Sequence, residues 1–188
     1  MRRTIVGRLA LVAVLAGLTG CGYNRMQSMD EQINKAKADI SAQLQRRSDL
    51  IPNLVSTVKG VTKQEDTVFI AIAEARSRLN GAVQSGDPRQ MADANAALTA
   101  PLGRLLAIAE AYPELKSSAN FQALQDELTG TENRIAVARQ DYNGAVKEYN
   151  AFIRTFPYNL TAKVFGMGTP RDYFEATAGA AEAPKVQF

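Results

Sequence analysis

A chain of 188 residues with no His, no Trp and a single Cys excludes histidine bases, His or Cys metal clusters, internal disulfides and Ser-His or Cys-His nucleophile pairs. The length suits one domain with a real core. The net charge of +3 is misleading: Arg2, Arg3 and Arg8 precede every acid, and removing those three from the 22 bases leaves 19 to face 19 acids. An electroneutral body has no basic stripe, so no nucleic-acid partner is expected.

The N-terminus reads as an export signal. "MRRTIVGR" is a positive segment and "LALVAVLAGLTG" an apolar run of about a dozen residues. A membrane-spanning helix needs roughly 20 apolar residues, whereas a signal-peptide core needs only about 7–15. "LTGC" then resembles the lipobox of bacterial lipoproteins: Leu18, the small residues Thr19 and Gly20, and Cys21. That resemblance implies cleavage between Gly20 and Cys21 and lipidation of the Cys21 thiol. Several acyl chains give stable attachment where one is marginal. The expected domains are therefore a lipoprotein signal peptide over 1–20, a helical body over 21–175 and an Ala-rich tail over 176–188. Gly22, rather than Asp, follows the cysteine. In a Gram-negative cell this resembles the pattern for delivery to the periplasmic side of the outer membrane. The alternative anchor is an uncleaved N-terminal transmembrane helix.

Helical periodicity governs the body. Met26, Met29, Ile33, Ala36, Ile40, Leu44, Arg47, Ile51, Leu54, Val58 and Val61 recur at three and four residues, predicting a long first helix. "TKQE" at 62–65 reads as a capping box opening a second helix through Val68, Ile72, Ala75 and Leu79. Asp87 and Pro88 read as the cap and first residue of a third helix, with Met91, Ala94, Leu98, Leu102, Leu105 and Ala109 along its seam. This helix stops before Pro113, where Tyr112 is expected to pack; the competing role for "EAYPEL" is a partner-binding tip. A last long helix carries Phe121, Leu124, Leu128, Thr131, Ile135, Ala138, Tyr142, Ala145, Tyr149, Phe152 and Phe156, a 3.5-residue repeat held for five heptads. Short connections favour antiparallel neighbours. The predicted fold is all-α, an antiparallel up-down-up-down four-helix bundle with long first and last helices. The shorter middle helices leave part of the long pair uncovered near the anchor. Tyr158, Leu160, Val164, Phe165, Tyr173 and Phe174 are expected to pack there.

"RRSDLIPNLVSTVKG", "EAYPELKSSANFQALQDEL" and "TENRIAVARQDYNGAVKEYNAFIRTFP", followed by "LTAKVFG" and "DYF", together resemble the LemA family over about residues 25–175. The resemblance implies a bacterial four-helix bundle held outside the cytoplasm. It implies no established enzymatic activity. Relatives often occur near membrane proteins with a TPM domain, which points to such a protein as a partner. Many relatives keep a transmembrane helix where this chain has a lipobox.

Few polar residues invite a chemical reading. Glu65, Glu74, Glu110 and Glu132 fall on different helices, but di-iron bundles use Glu-x-x-His and this chain has no His, so neither metal nor cofactor is expected. Tyr142 and Tyr149 lie on the seam and predict core rings with bonded hydroxyls. Asn143 and Asn150 follow them and are expected to bridge to a neighbouring helix. Pro52, Pro101 and Gly130 fall in one layer, a set of local kinks or a flexible recognition layer. Arg47 interrupts the first seam. The antiparallel register brings it near Glu132, and the pair is expected beside the carbonyls freed by Pro52. The function expected from these features is a lipid-anchored, extracytoplasmic, non-enzymatic scaffold or adaptor. Its rivals are a small-ligand or lipid-binding bundle and a carboxylate-based envelope enzyme.

Overall fold

The computed structural model describes residues 2–61 and 65–175, with side chains from residue 22 onward. The described residues are all-α, in the order α1 (Arg2–Lys59), α2 (Asp66–Ser85), α3 (Pro88–Glu110), α4 (Pro113–Lys116), α5 (Ala119–Phe152) and α6 (Tyr158–Val164). Six helices stand where four were expected. The two additions are short, and each begins beside a proline: Pro113 is the first residue of α4, and Pro157 immediately precedes α6. A proline's fixed φ suits a first turn, so the residue read only as a stop also starts the next helix.

The long helices form where the apolar period predicts them, and their ends follow local chemistry. Gly86 closes α2 in the left-handed region at φ 67°, donating its amide to the Ala82 and Val83 carbonyls. A side chain there would be strained. The Asp87 carboxylate then accepts from the Arg89 and Gln90 amides at 2.8 and 3.2 Å and opens α3. Ser118 caps α5 by accepting from the Phe121 amide. The expected capping box does not open α2. That helix starts at Asp66 with Glu65 at its cap position and no side-chain cap bond, and Thr62 lies outside the described residues.

Contacts fix the directions of the long helices. Gln43 meets Arg134 while Arg46 meets Glu127, so α1 and α5 run antiparallel. Lys59 lies over the Phe69 ring and Ser48 meets Asn80, so α2 descends α1. Ser41 meets Met91 and Arg47 meets Asn95, so α3 runs parallel to α1. The core between them is sealed: Ile40, Leu44, Ile51, Leu54, Leu79, Met91, Leu98 and Leu105 are all essentially inaccessible. Each such aliphatic side chain contributes roughly 1.5–3 kcal/mol by leaving water.

Three seam expectations and the packing of Tyr112 need correction. Val61 lies beyond the end of α1 and is exposed. Val146 rather than Ala145 is the fully buried residue of its α5 turn, as a straight 3.6-residue helix drifts from a 3.5 repeat. Phe156 falls outside α5, which ends at Phe152, and is 75% exposed. Tyr112 is exposed rather than packed.

Candidate functional site

Two polar constellations stand out against the apolar seams. The first is a layer through the sealed half. Arg47 projects from the α1 seam and is only 5% exposed. Its guanidinium donates to Asn95 Oδ1 on α3 and pairs with Glu132 Oε2 on α5, both at 2.5 Å. Burial lowers the Arg47 pKa by disfavouring the charged form, and the Glu132 charge opposes that shift. Its Nε is buried with no hydrogen-bond partner. Glu132 has a half-exposed side chain, 52% accessible, so water screens one end of the pair.

Ser48, fully buried beside it, donates to Asn80 Oδ1 on α2 at 2.7 Å. Pro52 has no amide, which leaves the Ser48 carbonyl without its helical donor. Arg76 of α2 fills the gap, donating from Nε to Ser48 O at 2.9 Å. The expected position of Arg47 beside that carbonyl is thus corrected: Arg47 takes the carboxylate and Arg76 the carbonyl. All four long helices are tied at one level by side chains directed at one another. That is a locking arrangement, with its two arginines already engaged.

The second constellation reads a backbone. Beyond α6 the chain turns at Gly166 and residues 167–175 run without helix back along α1 and α5. Tyr149 donates its hydroxyl to the Met167 carbonyl at 3.0 Å, and Tyr142 donates to the Asp172 carbonyl at 2.9 Å. Each following asparagine pairs with both backbone groups of one strap residue. Asn150 donates to Arg171 O at 2.9 Å and accepts from Arg171 N at 2.7 Å. Asn143 does the same with Phe174, at 3.3 and 2.8 Å. Seven residues of helix rise about 10.5 Å and three extended residues span at most about 10 Å, so dyads seven apart match Arg171 and Phe174. The asparagines were expected to bridge to a helix. They hold this strap instead, because the middle helices do not cover α5 here.

Charge and packing complete the clasp. Arg171 pairs with Asp30 of α1 at 2.6 Å and lies over the Tyr149 ring, while Asp172 pairs with Arg89 of α3 at 2.7 Å. Phe174 is buried. Burial raises the Tyr142 pKa to about 12, with Asp172 adding to the shift, and burial also raises that of Tyr149. Both phenols therefore remain donors through neutral pH.

The other predicted site residues are more dispersed. Gly20 and Cys21 lie on the α1 backbone, and the Cys21 side chain is outside the described residues, as is the tail over 176–188. Among the described residues no three His, Cys, Asp or Glu side chains converge, and of the four glutamates considered, Glu132 is committed to Arg47. A surface groove of about 350 Å³ between α1 and α5 is lined by the apolar Ala36, Val137 and Ala138 and by Asp39, Arg134 and Asp141.

The LemA family model matches residues 36–188. The chain belongs to the LemA family. Among curated relatives, the magnetosome proteins MamQ 1 and MamQ 2 of Paramagnetospirillum magneticum are each 26% identical over 93% of this chain and 72% of their own length. The magnetosome protein MamQ of Magnetospirillum gryphiswaldense is 25% identical over 91% of this chain and 71% of its own. The LemA match spans both constellations, the Arg47 layer and the Tyr-Asn dyads. Sequence reasoning singled out Arg47, Glu132 and the dyads. It missed Ser48, Arg76, Asn80 and Asn95, although Ser48, Asn80 and Asn95 each follow a seam residue directly.

Proposed function

We propose that this LemA-family protein is a lipid-anchored scaffold or adaptor at a bacterial envelope membrane, its four long helices acting as an up-down-up-down bundle outside the cytoplasm. The observation that carries the reading is the filled seam. The interior is occupied by Leu, Ile and Met side chains, and the buried polar groups are spent on tying helices together. A scaffold needs that rigidity, whereas a carboxylate enzyme needs a cleft with paired acids. The anchor rests on "LTGC", with Cys21 acylated after cleavage from Gly20. The likeness to proteins named for a magnetosome adds support for a membrane-associated setting. The periplasmic face of the outer membrane is the proposed location in a Gram-negative cell, with a TPM-domain membrane protein as the proposed partner.

Intact-mass analysis of the chain extracted from membranes tests the anchor: an acylated chain beginning at Cys21 is expected. A full-length, unmodified chain overturns cleavage and leaves the uncleaved transmembrane anchor. Photo-crosslinkers in the turn at Tyr112 test the adaptor role, and loss of every specific membrane-protein adduct overturns it. A second reading, small-ligand or lipid binding, is favoured only by the α1–α5 groove, whose lining includes the exposed Val137. Titration calorimetry with short-chain lipids, compared between wild type and Val137→Asp, separates it from the scaffold.

A further inference from the structure

Among the described residues, half of the eight exposed large apolar side chains fall in one short segment. Phe156, Leu160, Val164 and Phe165, within ten residues of one another, are 75%, 55%, 78% and 51% exposed. Leu160 and Val164 are four apart on α6 and share a face. A soluble surface scatters such residues singly; a contiguous group marks a binding surface.

The position of the group in the fold limits its occupant. α6 packs on the stretch of α1 that follows the lipobox. A Cβ built on Gly22 would come within 2.7 Å of the Tyr158 ring, so α6 sits tightly on α1 because residue 22 is a glycine. The Tyr23 and Phe165 ring centroids lie 4.7 Å apart, and Arg25 lies over the Phe152 ring. The two ends of the segment that carries the patch, Tyr158 and Phe165, therefore meet α1 one and two residues beyond Cys21. Its charge is one-sided. The sequence holds no acid before Asp30 and none from Tyr149 to Arg171, a region that contains Arg25, Arg154 and Lys163.

We propose that α6 and the turn before it are a second membrane contact: Phe156, Leu160 and Val164 enter the headgroup region of an anionic bilayer while Arg154 and Lys163 face its phosphates. The proposal rests on attachment of the chain near Cys21, by either anchor. Apolar side chains beside basic ones suit a bilayer interface, where the first leave water and the second meet negative lipid. The occupant is lipid and not a soluble protein, because the anchor already holds this face at the membrane. The bundle then stands on the bilayer at two points and cannot pivot freely about one.

The absence of tryptophan provides a clean probe. Leu160→Trp and Val164→Trp each place one indole in the patch, and Ile70→Trp places one at an exposed position on α2. Each full-length chain is extracted from membranes and reconstituted into phosphatidylethanolamine–phosphatidylglycerol vesicles, with and without brominated acyl chains. Flotation is read on the same samples. The expected result is flotation of all three, with blue-shifted, bromine-quenched emission at 160 and 164 and unquenched emission at 70. Flotation with no quenching at 160 and 164 overturns the second contact and leaves the anchor standing. Failure to float overturns both. A blue shift that grows with protein concentration and ignores bromine assigns the patch to a second copy and overturns the proposal. Equal quenching at all three positions denies a specific face and overturns it too.

Discussion

The two halves of the long α1–α5 pair are covered by different means. From about Lys37 onward, α2 and α3 cover α1 with interlocked aliphatic side chains, and the one polar layer is internal. Nearer the N-terminal end of α1, α6 and the strap take over, and the strap is held mainly through its backbone. A helix covers a neighbour with side chains because its own peptide groups are already paired. A strap has unpaired peptide groups and needs side-chain donors and acceptors opposite it, here Tyr142, Asn143, Tyr149 and Asn150. The sealed half is thus sensitive to side-chain volume and the strapped half to hydrogen-bonding capacity.

That contrast can be broken from either side. Ile51→Ala, a cavity in the sealed half, is expected to lower stability by about 2–5 kcal/mol in a denaturant titration. Arg47→Ala removes a buried cation and its bonds to Asn95 and Glu132, with an expected loss of about 2–4 kcal/mol. Glu132→Gln is milder, about 1–2 kcal/mol, because water screens the half-exposed carboxylate. If Arg47→Ala leaves the midpoint unchanged, the layer is not a lock.

Asn150→Ala removes both bonds to Arg171 and is expected to cost about 1–3 kcal/mol locally. Its readout is amide exchange in residues 167–174, which should accelerate while α2 and α3 amides keep their protection. Uniform acceleration across the chain would mean that the strap is part of the global core.

The smallest effect is one of pH. The Tyr142 pKa is raised from 10 to about 12 in the folded chain. The folded state favours the protonated phenol, so the contribution is complete below pH 10 and is lost as pH rises through about 12. Strap exchange should therefore rise in that alkaline window while the sealed half lags. Tyr142→Phe should remove the part of the transition due to this phenol.

The sequence made the sealed half readable because volume patterning is periodic. Ile40 through Val58 could be placed from spacing alone, and so could the Asp87 and Pro88 junction, where each residue has a narrow backbone role. The strap was less legible. "YNGAVKEYN" signals buried phenols and amides, but nothing in "GMGTPRDYF" has a period, so the dyads had donors in view and no acceptor. Phe156 misled for the opposite reason: it continues the heptad numerically, and the heptad carries no information about where a helix stops. Leu160, Val164 and Phe165, expected to pack, are largely exposed, since α6 is too short to bury all the apolar residues in and beside it against α1. Arg47 was traceable because a lone cation on an apolar seam demands a counter-charge, whereas Asn80 and Asn95 are unremarkable until their neighbours are known.

The continuity of α1 has a mechanical consequence. It runs unbroken from Arg2 to Lys59, through Cys21. On the anchoring proposed above, no slack linker separates the acylated residue from the body. The 39 residues from Cys21 to Lys59 form a mast about 57 Å tall at 1.5 Å per residue. A tethered domain on a flexible leash sweeps a hemisphere and meets partners at any height. A mast footed by α6 holds its tip, with Tyr112 beside it, at one standoff from the lipid. Inserting two heptads between Cys21 and Gly22, without altering the bundle, would raise that tip by about 21 Å and separate reach from affinity.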